Sequence, residues 1–418
     1  MRLQSQLPAL FASVGVAAHI FGGASSSSQT IISSSDSESS SAPHYRDTLL
    51  HLHKSLVEIP SVSGSEAAVG HFLADYLTDL GLRVELQAVP SSNAAADEKP
   101  RYNVLAWPTK SKVPRPKVLV SSHIDTVPPF IPYSISEGDK VTSDTEISGR
   151  GSVDAKAAVA AQVTALLDLI QSPEHEDFPA EEVMLLFVVG EETIGDGMRH
   201  FSDSLEQLEP KPTFDAAIFG EPTEGKLACG HKGFLGCTVK ATGHAGHSGY
   251  PWLGKSANEV LMRGLVKILD ADLGSSERLG NTTVNVGKFE GGVAANVIPE
   301  KAEAKIAVRI AIGPQETGAV VIEERIRDVL KSVDDEAFDI SCNNGYGAID
   351  CNCEVSGFEN ITVNYGTDVA NLKGDHTRYL YGPGTIFVAH GPNEALKVKD
   401  LEAAVEGYKK LILHALKN

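Results

Sequence analysis

From Tyr45 onward the chain switches between two hydropathy periods. Tyr45–Val57 and Glu66–Leu80 carry apolar residues three and four apart, the spacing of amphipathic helices, whereas Arg83-Val-Glu-Leu-Gln-Ala-Val89 alternates as a half-buried strand does. Lys117–Ser121, Glu182–Val189 and Ala216–Phe219 are short, nearly continuous apolar runs, and the helical pattern of Ala155–Ile170 separates the first two. Strands that are apolar on both faces and interleaved with helices predict an α/β fold, a largely parallel sheet flanked by helices. The conspicuous polar residues sit just past the C-terminal ends of these strands, where open α/β sheets bind ligands.

Between about Phe234 and Asn344 the texture changes. Alternating strands (Leu235–Ala241, Thr283–Phe289, Ala302–Ile310) and two helices (Ser256–Leu269, Gln315–Ser332) predict a small α+β domain inserted into the larger one. The chain then returns through 366–390 and closes on an amphipathic helix, Lys399–Leu416. The expected division is residues 43–233 and 346–418 for the main domain and 234–345 for the insertion. Residues 1–24 combine Arg2, an apolar stretch from Leu7 to Phe21 and small residues at Ala17, Ala18 and Ala24, the layout of a secretory signal peptide. Residues 25–42 follow as a flexible segment, with eleven Ser between Ser25 and Ser41. A secreted protein is expected.

Composition narrows the partners. With 418 residues, 42% of them hydrophobic, the chain can bury a sizeable core, which excludes disorder as its overall class. A formal charge of -19 argues against binding a nucleic-acid backbone or an anionic membrane surface. Five Cys without a CxxC pair leave any metal to His and carboxylates. Cys229 and Cys237 flank a short Gly-rich turn that a local disulfide could close, and Cys342, Cys351 and Cys353 then leave one thiol over. The sequons at Asn281 and Asn360 are compatible with an exported glycoprotein.

Five segments bring acids or histidines to expected sheet ends. In Ser121-Ser-His123-Ile-Asp125, residues two apart in extended chain project to one side, so Asp125 can orient the His123 imidazole toward a metal. Gly149-Arg-Gly-Ser-Val-Asp154 places an acid directly before a helix, where it could also serve as an N-cap. Gly190-Glu191-Glu192 puts two diverging carboxylates after a buried strand, one able to bind metal while its neighbour acts as general base. Gly220-Glu221-Pro-Thr and Ala389-His390-Gly-Pro-Asn-Glu394 complete a mixed set of His and carboxylates suited to Zn²⁺.

From Leu56-Val-Glu-Ile-Pro-Ser-Val-Ser to the C-terminus, the chain resembles the aminoacylase, acetylornithine deacetylase and glutamate carboxypeptidase family of dinuclear zinc metallopeptidases. The motifs are His-x-Asp-x-Val-Pro at His123–Pro128, Gly-Arg-Gly-x-x-Asp-x-Lys at Gly149–Lys156, the Glu191-Glu192 pair, Gly-Glu-Pro-Thr at Gly220–Thr223 and the late His390. The resemblance implies two Zn²⁺ per subunit, with His123, Glu192, Glu221 and His390 as terminal ligands and Asp154 bridging. It further implies Glu191 as general base beside the catalytic Asp125. In the insertion it implies a lid histidine at His247, favoured over His244 by the following Tyr250-Pro251 and Gly254, and Asn296 and Arg309 as groups that hold a substrate carboxylate. The lid of this family also mediates dimerisation in many members, so a homodimer is possible.

The expected activity is a secreted zinc carboxypeptidase acting on a peptide, or on an N-acyl amino acid, with a free carboxylate. An N-acyl-amino-acid amidohydrolase is the alternative. A dinuclear zinc aminopeptidase is disfavoured by the strand-rich insertion, and a catalytically silent binding module by retention of all five ligand candidates plus Glu191. No nucleic-acid or membrane partner is expected. His-Ile-Asp replaces the family's commoner His-Thr-Asp, and the Ser-rich and Cys342–Cys353 segments have no counterpart in it.

Overall fold

Alternate residues of the buried strands go to opposite faces of one six-stranded sheet. Val104, Val118, Val120, Leu185 and Ile218 join one apolar cluster, while Leu105, Leu119, Leu186, Ala217 and Phe219 join another. The computed structural model describes residues 42–90, 100–108, 116–136 and 140–417; the expected signal peptide and nearly all of the Ser-rich segment lie outside these. The strand order is Arg83–Ala88, Tyr102–Trp107, Val183–Val188, Val118–His123, Ala216–Gly220, Thr377–Tyr381. The last four of these strands run parallel to one another, and the first two pairings are antiparallel, so the parallel part is the half that carries the candidate ligands.

Helix Lys156–Gln171 is buried over almost its whole circumference, the state its Ala- and Leu-rich sequence suits. It packs between the sheet and the helices Arg46–Glu58 and Val398–Ala415. Leu49, Leu52 and Leu56 fall three and four residues apart on Arg46–Glu58 and are buried; each such side chain contributes roughly 1.5–3 kcal/mol. Among the described residues no helix is long and apolar enough to cross a membrane.

A second sheet lies between Gly233 and Cys342. Its order is Thr283–Gly291, Lys301–Ile310, Gly233–Thr242, Phe338–Cys342, all antiparallel, and helices Ala257–Asp270 and Gly318–Val333 cover one face. The Phe338–Cys342 strand is one more than the sequence pattern predicts. Its five residues hold only two large apolar side chains, too few to stand out after the acidic run Asp334-Asp-Glu336.

The cysteine expectation is corrected. Cys229 pairs with Cys353 and Cys237 with Cys342, so the thiol left over is the buried Cys351. Cys237 and Cys229 do not pair, because strand Gly233–Thr242 carries Cys237 directly opposite Cys342 in the neighbouring strand. Both disulfides link the stretch where the chain enters the second sheet to the stretch where it leaves.

Candidate metal centre

Four chain segments deliver side chains to one end of the parallel strands. His123 is the last residue of its strand, Glu191 and Glu192 follow Val183–Val188, Glu221 follows Ala216–Gly220, and His390 lies beyond Thr377–Tyr381. Asp154 arrives from the loop before helix Lys156–Gln171. That helix is capped by Ala155 with no side-chain bond, so Asp154 is not its N-cap and its carboxylate faces the histidines.

The two oxygens of Asp154 point to different imidazoles. Oδ1 is 3.0 Å from His123 Nε2 and Oδ2 is 3.3 Å from His390 Nε2. Each histidine has a glutamate beside it, with Glu221 Oε1 3.8 Å from His123 Nε2 and Glu192 Oε2 2.9 Å from His390 Nε2. Ligand atoms of His123, Asp154 and Glu192 lie within 4.8 Å of one another, as do those of His123, Glu191 and Glu221. The arrangement has two halves joined through one carboxylate. His390 itself has a backbone φ of 62°, in the left-handed region that non-glycine residues enter uncommonly.

Asp125 lies against the His123 imidazole, as expected. His123 Nδ1 meets the backbone carbonyl of Asp125 at 3.0 Å, and the carboxylate is 3.5 Å away. The Asp125 carboxylate also accepts the amides of Glu191 at 3.1 Å and Glu192 at 3.2 Å and the Ser63 hydroxyl at 2.6 Å. It therefore fixes the backbone of the glutamate pair. Gly190 is required just before them: its φ is 74°, and an added Cβ would collide with Asp196 and Arg101, which form a buried cluster with Glu66.

Two further acids serve the site. Glu394 is buried and accepts the amides of Val153 at 3.0 Å and Asp154 at 3.1 Å through Oε1, while Arg150 holds its Oε2 at 2.7 Å. Arg150 also donates to the His390 carbonyl at 3.3 Å, so one ion pair ties the Asp154 loop to the His390 turn. Asp368 lines a cavity of about 10 Å³ together with His123 and Glu221. Its Oδ1 accepts from Asn371 at 2.7 Å, and its buried Oδ2 has no hydrogen-bond partner among the described residues. Sequence reasoning overlooked Asp368, and the available signal was only an acid in the Gly366-Thr-Asp turn.

Burial dominates the electrostatics, and crowding of like charge adds to it. Burial, then the Glu221 carboxylate, raises Glu191 well above the usual carboxylate range; burial raises Glu221 and Glu192 too, with Asp154 adding to both. Burial opposes ionisation of Asp154, yet hydrogen bonds from His123 and His390 hold it well below its ordinary value. The same bonds from Asp154 and Glu192 lift His390 to about 10. A hard or borderline cation suits this donor set of two imidazoles and several carboxylates, and the buried, unpartnered Glu192 Oε1 supplies a further free ligand atom. The residues fit a pair of divalent ions.

The lid residues are placed elsewhere. His247 and Asn296 are both exposed, His247 on the short strand Gly246–His247 and Asn296 in the turn just before its partner strand Val297–Ile298; Ser248 donates to the Asn296 carbonyl at 3.1 Å and His247 Nδ1 accepts from Gly249 at 3.0 Å. Neither touches the metal ligands. Arg309 is half-buried on strand Lys301–Ile310, its guanidinium 5.1 Å from the Phe234 ring.

Residues 229–337 match the peptidase dimerisation domain of M20 peptidases. An M20 domain-containing peptidase of Sordaria macrospora is 56% identical over 393 residues, covering 90% of this chain and 86% of its own. A probable carboxypeptidase of Aspergillus oryzae is 48% identical, covering 88% of this chain and 87% of its own. Among solved structures, an M20 metallo-carboxypeptidase of Sulfolobus solfataricus superposes with a TM-score of 0.65 at 16% identity, covering 88% of this chain and 99% of that one. The expected fold, a sheet flanked by helices with an inserted lid, is borne out by this likeness. The chain belongs to the M20 peptidase family and is a hydrolase of that family.

Proposed function

We propose that the protein is a secreted carboxypeptidase using two zinc ions, with peptides carrying a free C-terminal carboxylate as substrates. The observation that carries this reading is Asp154 set between two His–Glu pairs, with Glu191 beside them. Its similarity to the Aspergillus carboxypeptidase supports the same substrate class. His123 and Glu221 would hold one ion, His390 and Glu192 the other, and Asp154 both. When bound, such ions supply Lewis-acid polarisation and make water acidic enough to ionise near neutral pH.

Glu191 accepts a proton from the attacking water and returns it to the leaving amine. Its raised proton affinity suits a group that must both take and give a proton. Arg309 would clamp the substrate carboxylate with its guanidinium fork. Asn296 and His247 reach the substrate when the lid closes, His247 as donor to the developing oxyanion. Trp252, Leu253, Met262, Val266 and Leu269 are exposed apolar residues of the matched dimerisation domain, and a second copy of the chain is proposed to cover them.

Export is supported by the N-terminal layout of residues 1–24 and by two disulfides, which persist in oxidising compartments. Asn281 and Asn360 are exposed and thus open to glycosylation.

The test is metal content together with hydrolysis of an N-blocked dipeptide and its C-terminal amide. About two zinc per chain and cleavage of the free acid alone are expected. Cleavage that needs a free N-terminus and ignores the carboxylate would overturn the assignment in favour of an aminopeptidase.

A further inference from the structure

One face of the second sheet is covered by helices and the other is open. Phe234 and Arg309 are direct cross-strand partners on that open face, since Cys237, Val239 and Val308, which alternate with them, face the helices. Tyr346 pairs with Phe234 from the other side, the two exchanging backbone hydrogen bonds of 3.0 Å. Directly opposed residues project to the same face, so Arg309, Phe234 and Tyr346 form a row.

The row ends at the metal-bearing domain. Tyr346 packs against the apolar cluster on the far side of the main sheet, and its ring meets His231 edge-on at 6.3 Å. His231 Nε2 is 3.1 Å from Thr367 Oγ1, immediately before Asp368, which shares a cavity wall with His123 and Glu221. Gly366 brings the pieces together: a Cβ built there would lie 2.3 Å from the Tyr346 hydroxyl and 3.9 Å from Arg309 Nη1. The phenol and the guanidinium thus converge beside a backbone that glycine keeps open. The hydroxyl has no hydrogen-bond partner among the described residues. Burial, with Glu191 as the foremost charge, keeps the phenol protonated well past its ordinary range, so it presents a neutral O–H donor.

We infer that Tyr346 is a substrate-binding residue whose phenolic O–H, together with the Arg309 guanidinium, grips the C-terminal carboxylate of the substrate. The inference rests on the carboxylate-terminated substrate proposed above. A guanidinium satisfies a carboxylate along one edge, and the remaining lone pairs call for another donor. The phenol stands where such a donor is needed.

Steady-state kinetics of Tyr346→Phe on the N-blocked dipeptide and its amide test this. Loss of one hydrogen bond to a charged group predicts a fall in kcat/KM of about tenfold or more on the free acid, carried by KM. Product inhibition by the released amino acid should weaken by the same factor, with zinc content and melting temperature unchanged. With Arg309→Ala as partner, the double variant should lose less than the two single losses multiplied. If the wild type requires the carboxylate but Tyr346→Phe keeps its kcat/KM, or loses only kcat, the inference is overturned while the carboxypeptidase reading stands. Equal cleavage of acid and amide by the wild type removes both. Should Tyr346→Phe not fold, Gly366→Ala provides the same readout by displacing the hydroxyl.

Discussion

The metal-bearing end of the main sheet and the His247 turn of the lid carry comparable chemistry but are built in opposite ways. At the sheet end Glu191 and the candidate ligands Glu192 and Asp154 are fixed from a distance in sequence: Asp125 holds the amides of Glu191 and Glu192, and Glu394 holds that of Asp154. At the lid turn His247 and Asn296 are exposed and bonded only to near neighbours in the same small ladder. Groups that must meet ions at fixed separations are preassembled, because a misplaced ligand costs binding directly. Groups that must admit a substrate and then close on it have to stand apart in the open state.

Three substitutions probe this division. Glu191→Gln removes the proton acceptor but none of the proposed terminal or bridging ligands; kcat should fall by about 10²–10⁴-fold with zinc content and melting temperature retained. Normal turnover would sink the assignment. His247→Ala should lower kcat by about 10²–10³-fold, again without loss of metal, if the lid supplies an oxyanion donor. Undiminished turnover there would place all the chemistry at the sheet end. Glu394→Gln acts from the opposite side: by loosening the Asp154 loop it should weaken metal affinity by about 10–100-fold, measured by chelator competition, with activity restored at high zinc. Unchanged affinity would show that the loop holds its shape without Glu394.

How much of this was legible follows from the range of the interactions. The His123, Glu191 and Glu221 positions could be read because each lies within a few residues of an apolar run whose period marks a strand. The contact of Asp125 with His123 was legible because it is local, but its further partners were not, since its amide donors come from a segment some 66 residues away. The disulfide pairing stayed open in the sequence for a related reason. Pairing of Cys237 with Cys342 depends on two strands meeting edge to edge across a separation of 105 residues, and local spacing carries no trace of it. Asp368 and Glu394 lie in turns, where an acid ordinarily signals only solvent exposure.

The smallest expected effect concerns histidines on the preassembled side. His53 Nε2 donates to the Ser152 carbonyl at 2.9 Å, beneath the Asp154 loop, and His231 lies beside Thr367; both are fully buried. Burial lowers each from an ordinary 6.5 to about 4, so in the folded protein both remain neutral at a pH where the unfolded chain has already bound protons. Below pH 6.5 the unfolded state therefore gains protons that the native state refuses, and stability falls as pH drops toward 4. Each histidine contributes a slope on the order of 1 kcal/mol per pH unit across that window. Melting temperature measured from pH 7 to pH 4 should decline, and His53→Gln or His231→Gln should flatten the decline even where the variant starts from a lower melting temperature. A slope identical to that of the wild type in both variants would mean that the metal-site carboxylates, not these histidines, set the acid limit.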